Sequence, residues 1–336
     1  MVHLPDKITL ANLPTRIEKL SATLDNTDSP VLYIKRDDET GMETSGNKIR
    51  KLEYTLKEAL ALGCDSLITC GAIQSNHCRA TVAASVKMGL KVCVVLRGDP
   101  VSEYDGNLLL DKLLGAEIRF VAPAEYNLRI GGIMKDIKKE MEIKGLKPYV
   151  IPSGASNGIG ALGYYAAFQE IVNQENAMEL HFDCIVVALG SAGTYSGLFL
   201  ARNVLKDDRT ILGISVSDNA AGCKKRIEEI LHESTAYLNV GIPYSPDDIK
   251  VIDEYVGEGY GLCSRDELRF IADFASTEGI ILDPVYTGKA MHGLMTEIKK
   301  GSLNVYRNIL FIHTGGIFDI FPYKKLFESY VWKAGL

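Results

Sequence analysis

Short apolar runs alternate with stretches of helical periodicity from Val31 to Gly316. The runs at 31–36, 66–71, 91–96, 117–122, 148–152, 184–189, 211–217, 248–254, 280–283 and 308–313 read as strands. Helical patterns fill most of the intervals. Ser264-Arg265-Asp266-Glu267 forms a capping box, and Leu268, Ile271, Ala272 and Ala275 follow at helical spacing. Glycines at 63, 89, 115, 145 and 279 close successive units. This alternation predicts a doubly wound α/β protein with mainly parallel sheets flanked by helices. Ten strands are many for one sheet, so two are expected. No Pro/Ser-rich linker, repeat or low-complexity segment marks a boundary. The stretch Phe321 to Trp332, with Leu326, Phe327, Tyr330 and Val331, is expected to dock on its parent domain.

The length of 336 residues suffices for two domains with cores of their own. The net charge of -6 supplies no basic stripe for a phosphate backbone, which argues against nucleic acid as a partner. Met1 to Leu20, with Pro5 and Pro14, lacks the apolar core of a signal peptide. No run is long enough to cross a bilayer, so no membrane association and a cytoplasmic location are expected. Seven cysteines (64, 70, 78, 93, 184, 223 and 263) form an odd set without a C-x-x-C pair and read as free thiols. The six histidines show no metal-ligand spacing, so no metal is expected.

Six polar clusters could carry chemistry. Ser45-Gly46-Asn47-Lys48-Ile49-Arg50-Lys51-Leu52-Glu53-Tyr54 sets a lysine at the mouth of a helix. Such a lysine can be desolvated and used as an amine nucleophile, although a solvated basic run is an equal reading of the spacing alone. Gln74-Ser75-Asn76-His77 follows the strand 66–71, with Ser75 placed to cap the next helix, whose start suits a carboxylate. Gly190-Ser191-Ala192-Gly193-Thr194 opens another helix and can close on a phosphate. Tyr260 lies among glycines 257, 259 and 261. Asp283-Pro284-Val285-Tyr286-Thr287-Gly288-Lys289 and His313-Thr314-Gly315-Gly316 end the last two apolar runs, and Asp283 reads as a turn residue. Gly158, Gly160 and Gly163 match G-x-G-x-x-G, but Asp183 precedes its strand, at the wrong end for a ribose contact. Close helix packing explains these glycines equally well.

Together these segments resemble the D-cysteine desulfhydrase and 1-aminocyclopropane-1-carboxylate deaminase family, pyridoxal phosphate enzymes of fold type II, the tryptophan synthase β type. The resemblance runs from Leu13 to Gly316. Its most specific pieces are Tyr33-Ile34-Lys35-Arg36-Asp37-Asp38, the Gly46 to Tyr54 segment, Gln74-Ser75-Asn76 and Leu282 to Lys289. It implies pyridoxal 5'-phosphate as cofactor and Lys48 as the lysine that forms the Schiff base; Lys51 is not that lysine. It implies that Ser75 transfers protons or acts as a nucleophile, that Asn76 meets the cofactor's phenolic oxygen, and that Ser191, Ala192, Gly193 and Thr194 cradle the phosphate. Tyr260 and Tyr286 match the two active-site tyrosines. Ser75, Asn76 and His77 stand where the substrate binds. The implied fold has a large domain from 1–46 and 162–336, a small domain from 47–161, and a homodimer.

Two positions discriminate within this family. The deaminase carries Glu after the Val-Tyr pair and Leu before the last Gly-Gly. Here those positions hold Thr287 and Thr314, the desulfhydrase pattern, as cofactor neighbours. A carboxylate near the pyridine nitrogen would keep it protonated for ring opening, whereas expelling a thiolate demands less. Ser45 replaces a usual glycine and Cys263 a common proline. The expected activity is α,β-elimination on a small amino acid, D-cysteine foremost, giving pyruvate, hydrogen sulfide and ammonia. Lys48 or a tyrosinate would take the Cα proton, with Tyr286 or Tyr260 as the acid. The alternatives are an L-cysteate sulfo-lyase, the ring-opening deaminase, an NAD-dependent dehydrogenase, and a non-catalytic ligand sensor.

Overall fold

The computed structural model describes residues 2–21 and 29–332. In chain order the strands are β1 Ile17–Lys19, β2 Val31–Lys35, β3 Ser66–Ala72, β4 Lys91–Arg97, β5 Glu117–Val121, β6 Pro148–Val150, β7 Cys184–Leu189, β8 Thr210–Ser215, β9 Lys250–Ile252 and β10 Asn308–Ile312. The main helices are α1 Lys48–Ala61, α2 Asn76–Lys87, α3 Gly106–Leu113, α4 Pro123–Ile143, α5 Gly158–Met178, α6 Gly193–Val204, α7 Ala220–Leu238, α8 Arg265–Glu278 and α9 Thr287–Lys299.

The strands form two sheets, one of order β1-β2-β10-β7-β8-β9 and one of order β5-β4-β3-β6. Every pairing is parallel except that of β1 with β2. The predicted fold class therefore holds. Alternation along β7 and β10 divides the larger sheet between two cores. Ile185, Val187, Leu310 and Ile312 face one cluster; Cys184, Val186, Ile309 and Phe311 face the other. In the smaller sheet Leu67, Val92 and Val94 face α1 and α2, while Ile68, Cys93 and Val95 face α4. Both faces are covered, which is why these strands read as unbroken apolar runs.

Local chemistry sets the ends. Ser75 caps α2 by accepting from Cys78 N, and Ser264 and Glu267 complete the capping box of α8. All five punctuating glycines have positive φ. One predicted strand is absent: residues 280–283 have no ladder partner. Ile280 and Leu282 are buried and alternate with exposed Ile281, which imitates a strand, but the Ile281 carbonyl meets the His313 ring instead of a neighbouring chain. β1 was not foreseen, since three residues on a sheet edge carry little pattern. The C-terminal stretch docks as expected, with Phe327 buried and Leu326 and Val331 packed on the same core. All seven cysteines are free thiols. No helix among the described residues is long and apolar enough to cross a membrane.

Candidate active site

The carboxyl ends of β3, β4, β7, β8 and β10 converge on one cleft between the two sheets, where ligands bind in parallel α/β folds. The cleft holds about 300 Å³ lined in part by Lys48, Ser75, His77, Arg97, Tyr260 and Tyr286. A narrow extension of about 30 Å³ runs from Lys48 past Asn47, Asn76, Ser191, Thr194 and Thr314. Among the described residues, no aspartate or glutamate lines either part.

Lys48 opens α1 and faces both parts of the cleft, its Nζ lying 5.9 Å from the Tyr286 ring centroid. Desolvation, partly offset by Asp283, lowers its amine to about 8. Two arginines fix its position. Arg50 donates to both oxygens of Asp37, after β2, and to both oxygens of Glu170 on α5. Arg79 donates to the carbonyls of Glu43 and Ser45, in the loop that leads into Lys48. Gly46 has φ +99°, and a Cβ there would stand 2.8 Å from the Thr314 carbonyl. Only glycine allows this approach, which sets Asn47 N to donate to Thr314 O.

Lys51 lies one helical turn further in and is fully enclosed. Its Nζ donates to Ser156 Oγ at 3.2 Å, and no carboxylate among the described residues pairs with it. Desolvation and the neighbouring Lys48 charge drive its amine well below the usual lysine range. A lysine buried without a counter-ion regains its charge only beside an anion. The start of α6 surrounds that position. Ala192 adopts a left-handed conformation with φ 69°, unusual for a residue with a Cβ. Ser191 Oγ and Gly193 N meet Ser156 Oγ, and Thr194 Oγ1 accepts from Asn47 Nδ2. A Cβ on Gly193 would stand 2.6 Å from Ser156 Oγ, and one on Gly154 2.3 Å from Ser191 Oγ. Small residues, hydroxyls, a helix start and an uncompensated lysine together fit a phosphate. Lys48, Ser191, Ala192 and Thr194 line one cavity, as an aldehyde cofactor with a phosphate tail requires.

Ser75 and His77 line the cleft across from this pocket. A Cβ on Gly71 would overlap Ser75 Oγ at 2.5 Å, so the strand end must be glycine for the serine to sit there. The single proton of Thr69 Oγ1 goes to the Ile151 carbonyl, so its bond to His77 runs from Nε2–H. Burial and the two lysines hold this imidazole neutral, well below its usual pKa. Nδ1 therefore carries a lone pair, and no protein group meets it. Asn76 donates to Asp319 Oδ2, and its Oδ1 accepts from Asn107 Nδ2 at 3.0 Å.

Tyr260 and Tyr286 share a hydrogen bond of 2.5 Å between their hydroxyls. Burial raises Tyr260 to about 12 and Tyr286 further still, so both keep their protons near neutral pH. Asp283 is a turn residue, as expected: its carboxylate accepts from the backbone N–H of Val285, Tyr286 and Thr287. Thr287 is fully buried, and its hydroxyl donates to Asp283 Oδ1 and accepts from Asp283 N. It does not reach the cavity wall, whereas Thr314 does.

The fold thus brings Lys48, Ser75, Asn76, His77, Ser191, Ala192, Thr194, Tyr260, Tyr286 and Thr314 to one cleft, with Gly193 directly behind the phosphate pocket. Lys51, Ser156, Arg97 and Asp319 were not singled out as site residues. Lys51 sits inside the quoted motif at helical spacing from Lys48; the other three carry no local signal. The glycine fingerprint serves packing. A Cβ on Gly163 would stand 2.3 Å from Arg50 O, and Asp183 accepts from Arg307 N and Asn308 N at the far end of the sheet.

The sequence profile of the pyridoxal-phosphate dependent enzyme family matches residues 8–315. A Thermotoga maritima protein named provisionally as a 1-aminocyclopropane-1-carboxylate deaminase is 45% identical over 299 residues, covering 88% of this chain and 91% of that protein. The Arabidopsis thaliana protein named bifunctional D-cysteine desulfhydrase/1-aminocyclopropane-1-carboxylate deaminase, mitochondrial, is 41% identical over 324 residues, covering 93% of this chain and 78% of its own. A crystal structure described as an ACC deaminase homologue superposes with a TM-score of 0.88 at 40% identity, covering 97% of this chain and 96% of that one.

Proposed function

The chain belongs to the pyridoxal-phosphate dependent enzyme family, and from that premise we propose that it eliminates the β-substituent of a small sulfur-bearing amino acid, D-cysteine foremost. Pyridoxal 5'-phosphate is its cofactor. The dinucleotide alternative falls with this membership and with the packing role of Gly158, Gly160 and Gly163.

Lys48 would hold the cofactor's aldehyde carbon. Lys51, Ser191, Thr194 and the start of α6 would hold its phosphate, and Asn76 its phenolic oxygen. The cofactor, when bound, supplies an electron sink for the pair left at Cα. The start of α2 with Ser75 would take the substrate carboxylate. Lys48 Nζ, its amine lowered to about 8 by burial, would take the Cα proton. A tyrosinate is the weaker candidate base, because both tyrosines hold their protons. The hydroxyl of Tyr286 or Tyr260 is therefore the acid that meets the departing sulfur. The products would be sulfide and an enamine that hydrolyses to pyruvate and ammonia.

The observation that carries elimination over ring opening is that no acidic side chain among the described residues lines the cleft. No carboxylate there can keep the pyridine nitrogen protonated, and Thr314 offers a neutral hydroxyl in its place. We extend the proposal to a cytoplasmic homodimer with domains at 1–46 plus 162–336 and at 47–161. The test is a visible spectrum before and after adding D-cysteine, with sulfide and pyruvate measured. L-cysteate with sulfite readout and 1-aminocyclopropane-1-carboxylate run in parallel. Turnover of the cyclopropane alone would overturn the assignment, and cofactor binding without any turnover would favour a sensor.

A further inference from the structure

We propose that Arg97 reads the side-chain end of the substrate and selects amino acids whose β-substituent is an anion, a thiolate or a sulfonate. This deepens the elimination reading and rests on it.

Besides Lys48, three positive features surround the cleft. The first is Lys51 with the start of α6, which the cofactor phosphate satisfies. The second is the start of α2, which takes the substrate α-carboxylate. The third is Arg97, and neither of those anions is left for it. Arg97 is the last residue of β4, so it points out of the carboxyl end of the smaller sheet, and it lines the same 300 Å³ space as Lys48. No ion pair or side-chain hydrogen bond engages its guanidinium among the described residues, although most other arginines around the site are tied down: Arg50 to Asp37 and Glu170, Arg36 to Asp38, Arg79 to backbone carbonyls. Its one directed contact is with the Tyr260 ring, whose centroid lies 5.5 Å from the guanidinium carbon.

A guanidinium held against an aromatic face keeps its N–H edge free for oxyanions or a thiolate. Tyr260 is also one of the paired hydroxyls proposed as the acid. The residue that would meet the departing group and the cation that would receive its charge are therefore in contact. Among the described residues the wall carries no acidic group to compete for Arg97. An uncharged ring methylene gains nothing from such a cation, whereas a sulfur group that arrives or leaves as an anion does.

The test uses the cofactor-loaded enzyme and the isosteric pair aspartate and asparagine, in both enantiomers, which differ in side-chain charge and carry no sulfur. Binding is read from the change in the cofactor's visible absorption. The wild type should bind aspartate at least about ten-fold more tightly than asparagine, the worth of one charge-assisted contact. Arg97→Gln should bring the two within about two-fold, and Arg97→Lys should retain part of the preference, since it keeps the charge without the fork. If Arg97→Gln does not fold, Arg97→Lys and a salt titration decide the matter: aspartate binding should weaken with ionic strength more steeply than asparagine binding, which shares only the α-carboxylate contact. Equal affinities in the wild type, a preference that survives Arg97→Gln, or a salt dependence no steeper for aspartate than for asparagine would each overturn the proposal. Sulfide and sulfite release are measured separately. An Arg97-dependent aspartate preference without elimination would sink the elimination reading alone, and elimination without the preference would sink the role of Arg97 alone.

Discussion

Asn76 Nδ2 donates to Asp319 Oδ2 across 2.8 Å, joining residues 243 apart in the chain. The bond ties the first residue of α2 to the 3-10 helix Ile317–Tyr323 after β10, so the two sheets meet at the amide proposed to face the cofactor. Burial and the nearby Asp283 hold the Asp319 carboxyl well above the usual range, and Oδ1 has no protein partner. Asp319→Ala should free the Asn76 amide and weaken cofactor retention about ten-fold, the scale of one hydrogen bond at a buried site. Asp319→Asn keeps an acceptor oxygen and should retain most of the affinity. Fluorescence of released cofactor on dilution measures both. Equal retention by all three proteins would remove Asp319 from the site.

Lys48 and Lys51 should separate cleanly. Lys48→Ala should lose the cofactor's lysine-linked visible band and all elimination. Lys51→Ala should keep the linkage but hold the cofactor roughly ten- to hundred-fold less tightly, since a charge-assisted phosphate contact is lost. Borohydride reduction and peptide mapping locate the linkage, and equilibrium dialysis gives the affinity. A pyridoxyl adduct on Lys51 in the wild type would reverse the two assignments.

The strands and the polar clusters were legible because each is local. A buried parallel strand is a short apolar run, and Lys48, Ser75, Asn76 and Ser191 to Thr194 sit at the starts of helices that follow strands. What escaped is tertiary. Ile280 and Leu282 alternate like a strand, yet only the sheet's edge decides whether a partner exists. Thr287 reads as a cofactor neighbour, but its hydroxyl closes on Asp283 within the turn. Arg97 lines the cleft, and Ser156 and Asp319 bond to its lining residues Ser191 and Asn76, all from segments with no unusual composition. Their roles follow from what they face.

Asp111 offers a pH test of the core. Both its oxygens are buried without a hydrogen-bond partner, and burial raises its carboxyl to about 8 despite the field of Arg79. The folded state therefore binds this proton more tightly than the unfolded chain, whose carboxyl titrates near 4. Stability from this group is complete below pH 4 and is lost as pH rises toward 8. Asp111→Asn should abolish that loss. Its advantage over the wild type should grow with pH across this window by up to about 1.4 kcal/mol per unit. Urea unfolding of both proteins at pH 5 and pH 8 measures the difference. A constant gap between them would show that Asp111 does not titrate abnormally.

Two glycine substitutions should move stability in opposite directions. Gly163 packs α5 against α1, and a Cβ there would lie 2.3 Å from Arg50 O and 2.7 Å from Lys51 N, both backbone atoms that cannot swing aside. Gly163→Ala must push the helices apart, at a cost of about 1–3 kcal/mol. The displaced helix carries Lys48, so cofactor occupancy should fall with stability. Gly131 lies inside α4 with nothing within 4 Å of an added Cβ. Gly131→Ala should stabilise the protein by about 0.5–1 kcal/mol through reduced freedom of the unfolded chain. Urea midpoints report both changes, and cofactor absorbance reports occupancy. A Gly163→Ala protein as stable and as fully loaded as the wild type would show that α5 does not hold the lysine helix in place.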